Sequence, residues 1–162
     1  MQQEKGAKGK PITLITLIIA GESVFFLPFV LARVFRPTLL DEFGISNTEL
    51  GLWFSVYGII AMLSYLAGGP LADRFPARKL MAWALWLTSA GGVLMSLLPS
   101  SRVMTGLYAF WGFTTICLFW AAMIRATREW GAMDFQGRAF GWLEGGRGSV
   151  AAVLGTIGFF IF

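Results

Sequence analysis

An all-α bundle of five membrane-crossing helices is the fold class this sequence predicts, on three observations. First, 56% of its 162 residues are hydrophobic and 14% are charged, whereas a soluble domain carries about 45–50% apolar and roughly 25% charged residues. Second, the apolar residues gather into five blocks, at about 11–32, 50–69, 80–99, 103–124 and 139–162. Each has roughly the 20 residues that carry a helix across about 30 Å of hydrocarbon. Third, the Lys and Arg residues stand mainly between the blocks, where membrane proteins place them. A lone strand in lipid would leave its backbone unpaired, so each block is expected to be helical. The expected organisation is a polar N-terminal tail over 1–10 and a transmembrane domain over 11–162.

The first block follows Lys5, Lys8 and Lys10, as the apolar core of a signal peptide would. Its run of about 22 residues exceeds the roughly 7–15 of such a core and has no A-x-A site, so a retained helix is expected, kinked at Pro28. In the second block Gly51, Ser55, Gly58, Met62, Tyr65 and Gly69 share a helical face, which predicts close packing against another helix. Trp83 and Trp86 in the third block and Trp111 and Trp120 in the fourth are expected mostly to meet lipid and anchor at the interfaces. Arg125, Arg128 and Glu129 close the fourth block, with Arg125 and Glu129 spaced for a pair one helical turn apart.

Loop charge predicts the orientation. Lys and Arg number three in the N-terminal tail, two in 33–49, three in 70–79, one in 100–102 and three in 125–138. Alternate segments sum to nine on one side and three on the other, which puts the N-terminus and the 70–79 loop in the cytoplasm. The final "GTIGFFIF" stays apolar to its last residue, which suggests a piece of a longer chain, with a complete five-helix protein as the alternative.

Composition also excludes functions. There is no His, so His-based acid–base catalysis and metal ligation are absent, and Cys117 alone can form neither an intrachain disulfide nor a thiolate cluster. No metal or other cofactor is expected. The net charge of +4 lies at the ends of apolar runs rather than on one soluble basic face, so nucleic acid is not an expected partner. An intramembrane serine protease would need the missing His, and an aspartyl one would need acids within the spans, whereas Asp41, Asp73 and Asp134 are assigned to loops. The chain is therefore not expected to be an enzyme.

Between the second and third blocks stands Gly69-Pro-Leu-Ala-Asp73-Arg74-Phe-Pro76-Ala-Arg78-Lys79. This stretch resembles the signature loop of the major facilitator superfamily, with Pro76 where that family usually has Gly. The resemblance extends to helix order and loop lengths over essentially the whole chain. It implies two six-helix halves built of inverted three-helix repeats around a central site, of which this chain would supply helices one to five. It implies transport of a small solute by alternating access, with a missing C-terminal half or a complementary chain as partner. Gly69, Asp73, Arg74, Arg78 and Lys79 then form a gating loop, Asp73 docking on a helix N-terminus of the other half. Without the resemblance, Asp73 reads as a local salt bridge to Arg74 or Arg78, and the bases as contacts to lipid headgroups. The segment "WGAMDFQGRAFGW" resembles the four-to-five loop of the organic-anion and sugar-phosphate branches, and helix five lacks the Gly-Pro-x-x-Gly-Gly of the drug–proton antiporters.

Three ionisable residues fall inside the blocks. Glu22 is near mid-membrane, where an unpaired carboxylate costs at least ~2.5 kcal/mol, so it should face a cavity or carry a proton. At 100° per residue Glu22, Phe26, Phe29 and Arg33 share one face, a candidate solute or proton path; the alternative is a Glu satisfied by neighbouring helices. Glu144 and Arg147, three residues apart, share a face with Gly141, Gly148, Ala151 and Gly155, opposite bulky Trp142, Val153 and Ile157. They are either a self-neutralising packing pair or a site in which Arg147 receives an anionic group of the solute. A secondary transporter of a polar or anionic solute is the function these features predict, with a non-transporting membrane scaffold as the alternative.

Overall fold

The computed structural model describes residues 10–161, the side chains of Asp134 and Ile161 excepted; most of the polar tail and its Lys5 and Lys8 lie outside the described residues. Every described element is helical. Helix α1 (Pro11–Phe25) opens on a proline, which suits the first helical position. It runs into a π-helical stretch, Phe26–Leu31, and ends as α2 (Ala32–Val34). Buried Pro28 supplies the cause: without an N–H it cannot serve the carbonyl four residues back, and the turn widens around the gap.

The 33–49 connection, expected to be a loop, holds a further helix, α3 (Arg36–Phe43), which carries Asp41. Gly44 ends it at φ 57°, a left-handed conformation that glycine adopts without a Cβ clash, and the N–H groups of Gly44 and Ile45 bond back to Asp41 and Leu40. Ser46 and Glu49 then form a reciprocal capping box that starts α4 (Asn47–Arg74). Helix α4 continues through Pro70 and carries Asp73 in its last turn, while α5 (Ala77–Ser96) begins only three residues after Arg74. The expected loop 70–79 therefore shrinks to Phe75 and Pro76, because both helices extend beyond their apolar blocks into polar turns.

Helix α6 (Ser101–Phe113) leads into a second π-helical stretch, Thr114–Trp120, and α7 (Ala121–Ile161) follows. Thr115 Oγ1 bonds the Trp111 carbonyl one turn back at 2.6 Å, competing with the backbone ladder where the winding changes. The 125–138 connection is helical on both sides of a break at Ala132, where φ is 48° and ψ −176°. The helix thus has a first limb before Ala132 and a second limb after it.

Three helical runs are long and apolar enough to cross a membrane, Pro11–Val34, Asn47–Arg74 and Ser101–Met133. Helix α5 and the second limb of α7 are not among them. Trp, Thr, Ser and Gly dilute the first, and Glu144, Arg147 and a run of glycines dilute the second. Helix α4 packs on α6 and α1 on α7, the two most extensive pairings. Gly112 allows the first: a Cβ there would stand 2.6 Å from the Tyr57 carbonyl oxygen. Trp53, Tyr108 and Trp111 fill that interface with ring centroids 5.5 and 5.2 Å apart.

Two expectations about packing change. Trp111 is fully buried and donates to the Thr88 carbonyl at 3.1 Å, whereas Trp83 and Trp86 do point outward. The small-residue stripe of α4 is exposed, and a Cβ on Gly51, Gly58 or Gly69 would meet nothing within 4 Å. The packed face of α4 is the opposite one, Trp53, Tyr57, Ala61 and Gly68, where a Cβ on Gly68 would stand 3.2 Å from the Cys117 carbonyl oxygen.

Candidate functional site

The residue around which a site forms is Arg147, on the second limb of α7. Its Nη1 donates to both carboxylate oxygens of Glu144, at 3.0 and 3.1 Å. From α1 the carboxylate of Glu22, only 6% exposed, approaches Arg147 Nε to 3.8 Å, an ion pair rather than a hydrogen bond. Gly21 makes room for this arrangement, since a Cβ there would lie 3.0 Å from Arg147 Cδ. Two rings complete the enclosure: the guanidinium carbon sits 5.4 Å from the centroid of Phe25 and 5.3 Å from that of Trp120. Cations at such distances are attracted by aromatic faces, more strongly once desolvated. The second π-helical stretch ends on Trp120, and the first begins just after Phe25.

These side chains line a cavity of about 580 Å³ that also reaches Phe29, Arg33, Tyr57 and Tyr65. Phe29 stands edge-on to Tyr57 at 4.8 Å, and the Tyr57 hydroxyl is fixed by a 2.6 Å hydrogen bond with Thr115. Glu22, Phe29 and Arg33 therefore come together with Glu144 and Arg147 from two distant stretches of sequence. Phe26 does not line the cavity; Phe25 does. The widened turns at Phe26–Leu31 break the 100° spacing on which the face Glu22–Phe26–Phe29–Arg33 rests. Phe25, Tyr57 and Trp120 were not singled out in the sequence as site residues. The sequence gives no signal for Trp120, whose role depends on a turn geometry without a proline to mark it.

The chemistry available is recognition by charge and ring. Arg147 Nε is buried and makes no hydrogen bond among the described residues, and an unmade bond of this kind costs about 1–3 kcal/mol, so it calls for an explanation. Together with the spare acceptor capacity of Glu22, it leaves a donor and an acceptor side by side in a space of solute size.

The proposed gating residues are spread along the α4–α5 junction. Gly69, Asp73 and Arg74 belong to α4, and Arg78 and Lys79 to the first turn of α5. Among the described residues the Asp73 carboxylate makes no ion pair with Arg74 or Arg78. The backbone there is held instead by Arg125, whose Nη1 donates to the carbonyls of Ala72 and Asp73 while its Nε pairs with Glu129 at 2.7 Å. That cross-helix role of Arg125, beyond the expected pair with Glu129, was not visible in the spacing.

A bundle of apolar helices enclosing paired charges defines a polytopic membrane protein with a polar interior. The family model for the Major Facilitator Superfamily matches residues 13–162, and the chain belongs to that superfamily. It is 33% identical over 151 residues to the inner membrane protein YqcE of Escherichia coli, covering 93% of this chain and 35% of that one. It is 26% identical over 138 residues to the E. coli inner membrane protein YihN, covering 85% and 32%. To the uncharacterized MFS-type transporter YhcA of Bacillus subtilis it is 28% identical over 102 residues, covering 63% and 19%. The chain thus spans about a third of the length of the first two relatives. No solved structure matches it.

Proposed function

We propose that this chain is the N-terminal portion of a secondary active transporter that moves a small polar or anionic organic solute by alternating access. The observation that carries the reading is the cavity at Arg147, where an incompletely bonded guanidinium between two carboxylates is flanked by aromatic rings. Membership of a transporter family and similarity to a relative named as an MFS-type transporter support it. In this reading α5 and the second limb of α7 also cross the bilayer, giving five crossings, with the N-terminus in the cytoplasm. The remaining half of the fold comes from chain beyond residue 162 or from a complementary polypeptide.

Arg147 is the solute-contacting residue and Glu22 the proton-carrying candidate, each free to exchange its present partner for solute or proton. Glu144 holds Arg147 when solute is away, and Phe25, Phe29 and Trp120 exclude water. Asp73, with Arg74, Arg78 and Lys79, would serve the gate at the α4–α5 junction. The lean towards organic anions and sugar phosphates rests on Arg147 and on the resemblance of the segment over 130–142. A scaffold has no use for an interior of this kind, since an ion pair removed from water confers little stability.

The test is solute counterflow in vesicles bearing the full-length parent protein, with a panel of anionic, neutral and cationic organic solutes. Uptake is expected for anionic members. It should drop at least tenfold with Arg147→Lys, which keeps the charge but loses the planar fork. Equal uptake by the two proteins would reduce Arg147 to a packing role. An undiminished proton-driven gradient in Glu22→Gln would remove Glu22 from the coupling path.

A further inference from the structure

A second cavity, of about 820 Å³, lies at the opposite end of α1 from Arg33, between the start of α1, the α4–α5 junction and the first limb of α7. Its polar side carries Arg74, Arg78 and Arg125 with Asp73 and Glu129. Arg125 is committed to Glu129 and to backbone carbonyls, whereas Arg74 and Arg78 make no ion pair among the described residues. Two uncommitted guanidiniums against one carboxylate leave the cavity net positive. Its other side is apolar, with Ile12, Leu17 and Met81, and the Trp130 indole closes it by donating to the Lys10 carbonyl at 3.0 Å. From Ile12 an exposed apolar track runs along α1 through Ile15 and Ile19. The basic end therefore lies where α1 begins and α4 gives way to α5, and the track leads from it along α1, which is long and apolar enough to cross a membrane.

We propose that this cavity binds the phosphodiester headgroup of an anionic membrane lipid, with Arg74 and Arg78 on the phosphate and an acyl chain along Ile12, Ile15 and Ile19. Arginine suits the task because its planar fork meets phosphate oxygens two at a time. The charge balance favours phosphatidylglycerol over a zwitterionic lipid, whose ammonium would have Asp73 alone for a partner. The site needs the membrane location but no transported solute. Loss of uptake with lipid retention intact would count against the transporter reading alone.

The experiment is native mass spectrometry of the delipidated full-length protein titrated with phosphatidylglycerol, phosphatidylethanolamine or phosphatidylcholine. Each cation near an anionic headgroup is worth roughly fivefold in binding. Phosphatidylglycerol should therefore be retained about tenfold or more over the other two, and Arg74→Gln with Arg78→Gln should abolish the preference. Both arginines are exposed and unpaired, so the double variant should melt with the parent. Lys79→Gln, which alters a cation outside this cavity, should leave the preference unchanged. A photoactivatable phosphatidylglycerol should label Ile12 or Met81. Retention of phosphatidylglycerol by the double variant, equal retention of phosphatidylethanolamine, displacement by millimolar inorganic phosphate, or labelling confined to other helices would each overturn the proposal.

Discussion

The two main helix pairings are built from different materials. Around the contact of α4 with α6, close enough to require Gly112, the packing is uncharged: Tyr57 pairs with Thr115 and Trp111 donates to the Thr88 carbonyl of α5, while the Tyr108 hydroxyl has no hydrogen-bond partner among the described residues. Where α1 meets α7, buried Glu22 faces half-buried Arg147, whose Nε makes no hydrogen bond among the described residues. Neutral hydroxyls and indoles that find partners give a fixed contact at little desolvation cost. Taking paired charges out of water can cost more than their attraction returns, so in the proposed transporter their role is to bind rather than to stabilise. The first interface is a fixture, and the second has alternatives open to it.

The comparison can be broken or sharpened by substitution. The largest effect is expected from Arg147→Leu, which strands the Glu22 carboxylate without its cation. Removing one partner of a buried pair costs about 3–5 kcal/mol, so thermal unfolding in detergent should show a strongly destabilised protein, and a second change, Glu22→Gln, should restore much of the loss. Gly112→Val comes next. Its first added carbon meets the backbone of Tyr57, which cannot rotate away, so the helices must separate at a cost of about 1–3 kcal/mol. Thermal unfolding in the same detergent should show this smaller loss. The smallest effect is expected from Glu129→Gln at the exposed pair with Arg125, where loss of such a bridge is worth about 0–1 kcal/mol and the melt should scarcely move.

The fold was legible where one physical rule dominates. Apolar length located the helical segments, whereas the Ser46–Glu49 capping box that starts α4 lay unread within the expected 33–49 loop. Helix ends were less legible, because Asp73, Arg74, Arg78 and Lys79 read as loop by polarity yet sit in helical turns once Pro76 alone makes the corner. Asp41 was misplaced for the same reason. The stripe from Gly51 to Gly69 misled about packing, because the face of α4 that packs among the described residues is the opposite one, carried by Trp53, Tyr57, Ala61 and Gly68. At the candidate site, Glu22, Glu144 and Arg147 stood out because charge within an apolar block is rare. Their pairing across more than a hundred residues of sequence was not legible, and the two π-helical stretches displaced the ring positions that a regular helix implies, exchanging Phe26 for Phe25 and bringing in Trp120.

The proposed site rests on a direct interaction of Glu22 with Arg147 in the cavity between α1 and α7. A double-mutant cycle of Glu22→Gln and Arg147→Gln, read as unfolding free energy in one detergent, measures it most directly. Contacting residues in a shared charge network couple by about 0.5–3 kcal/mol, and coupling in the upper part of that range is expected here. Single-mutant losses that simply add, within about 0.5 kcal/mol, would contradict the claim.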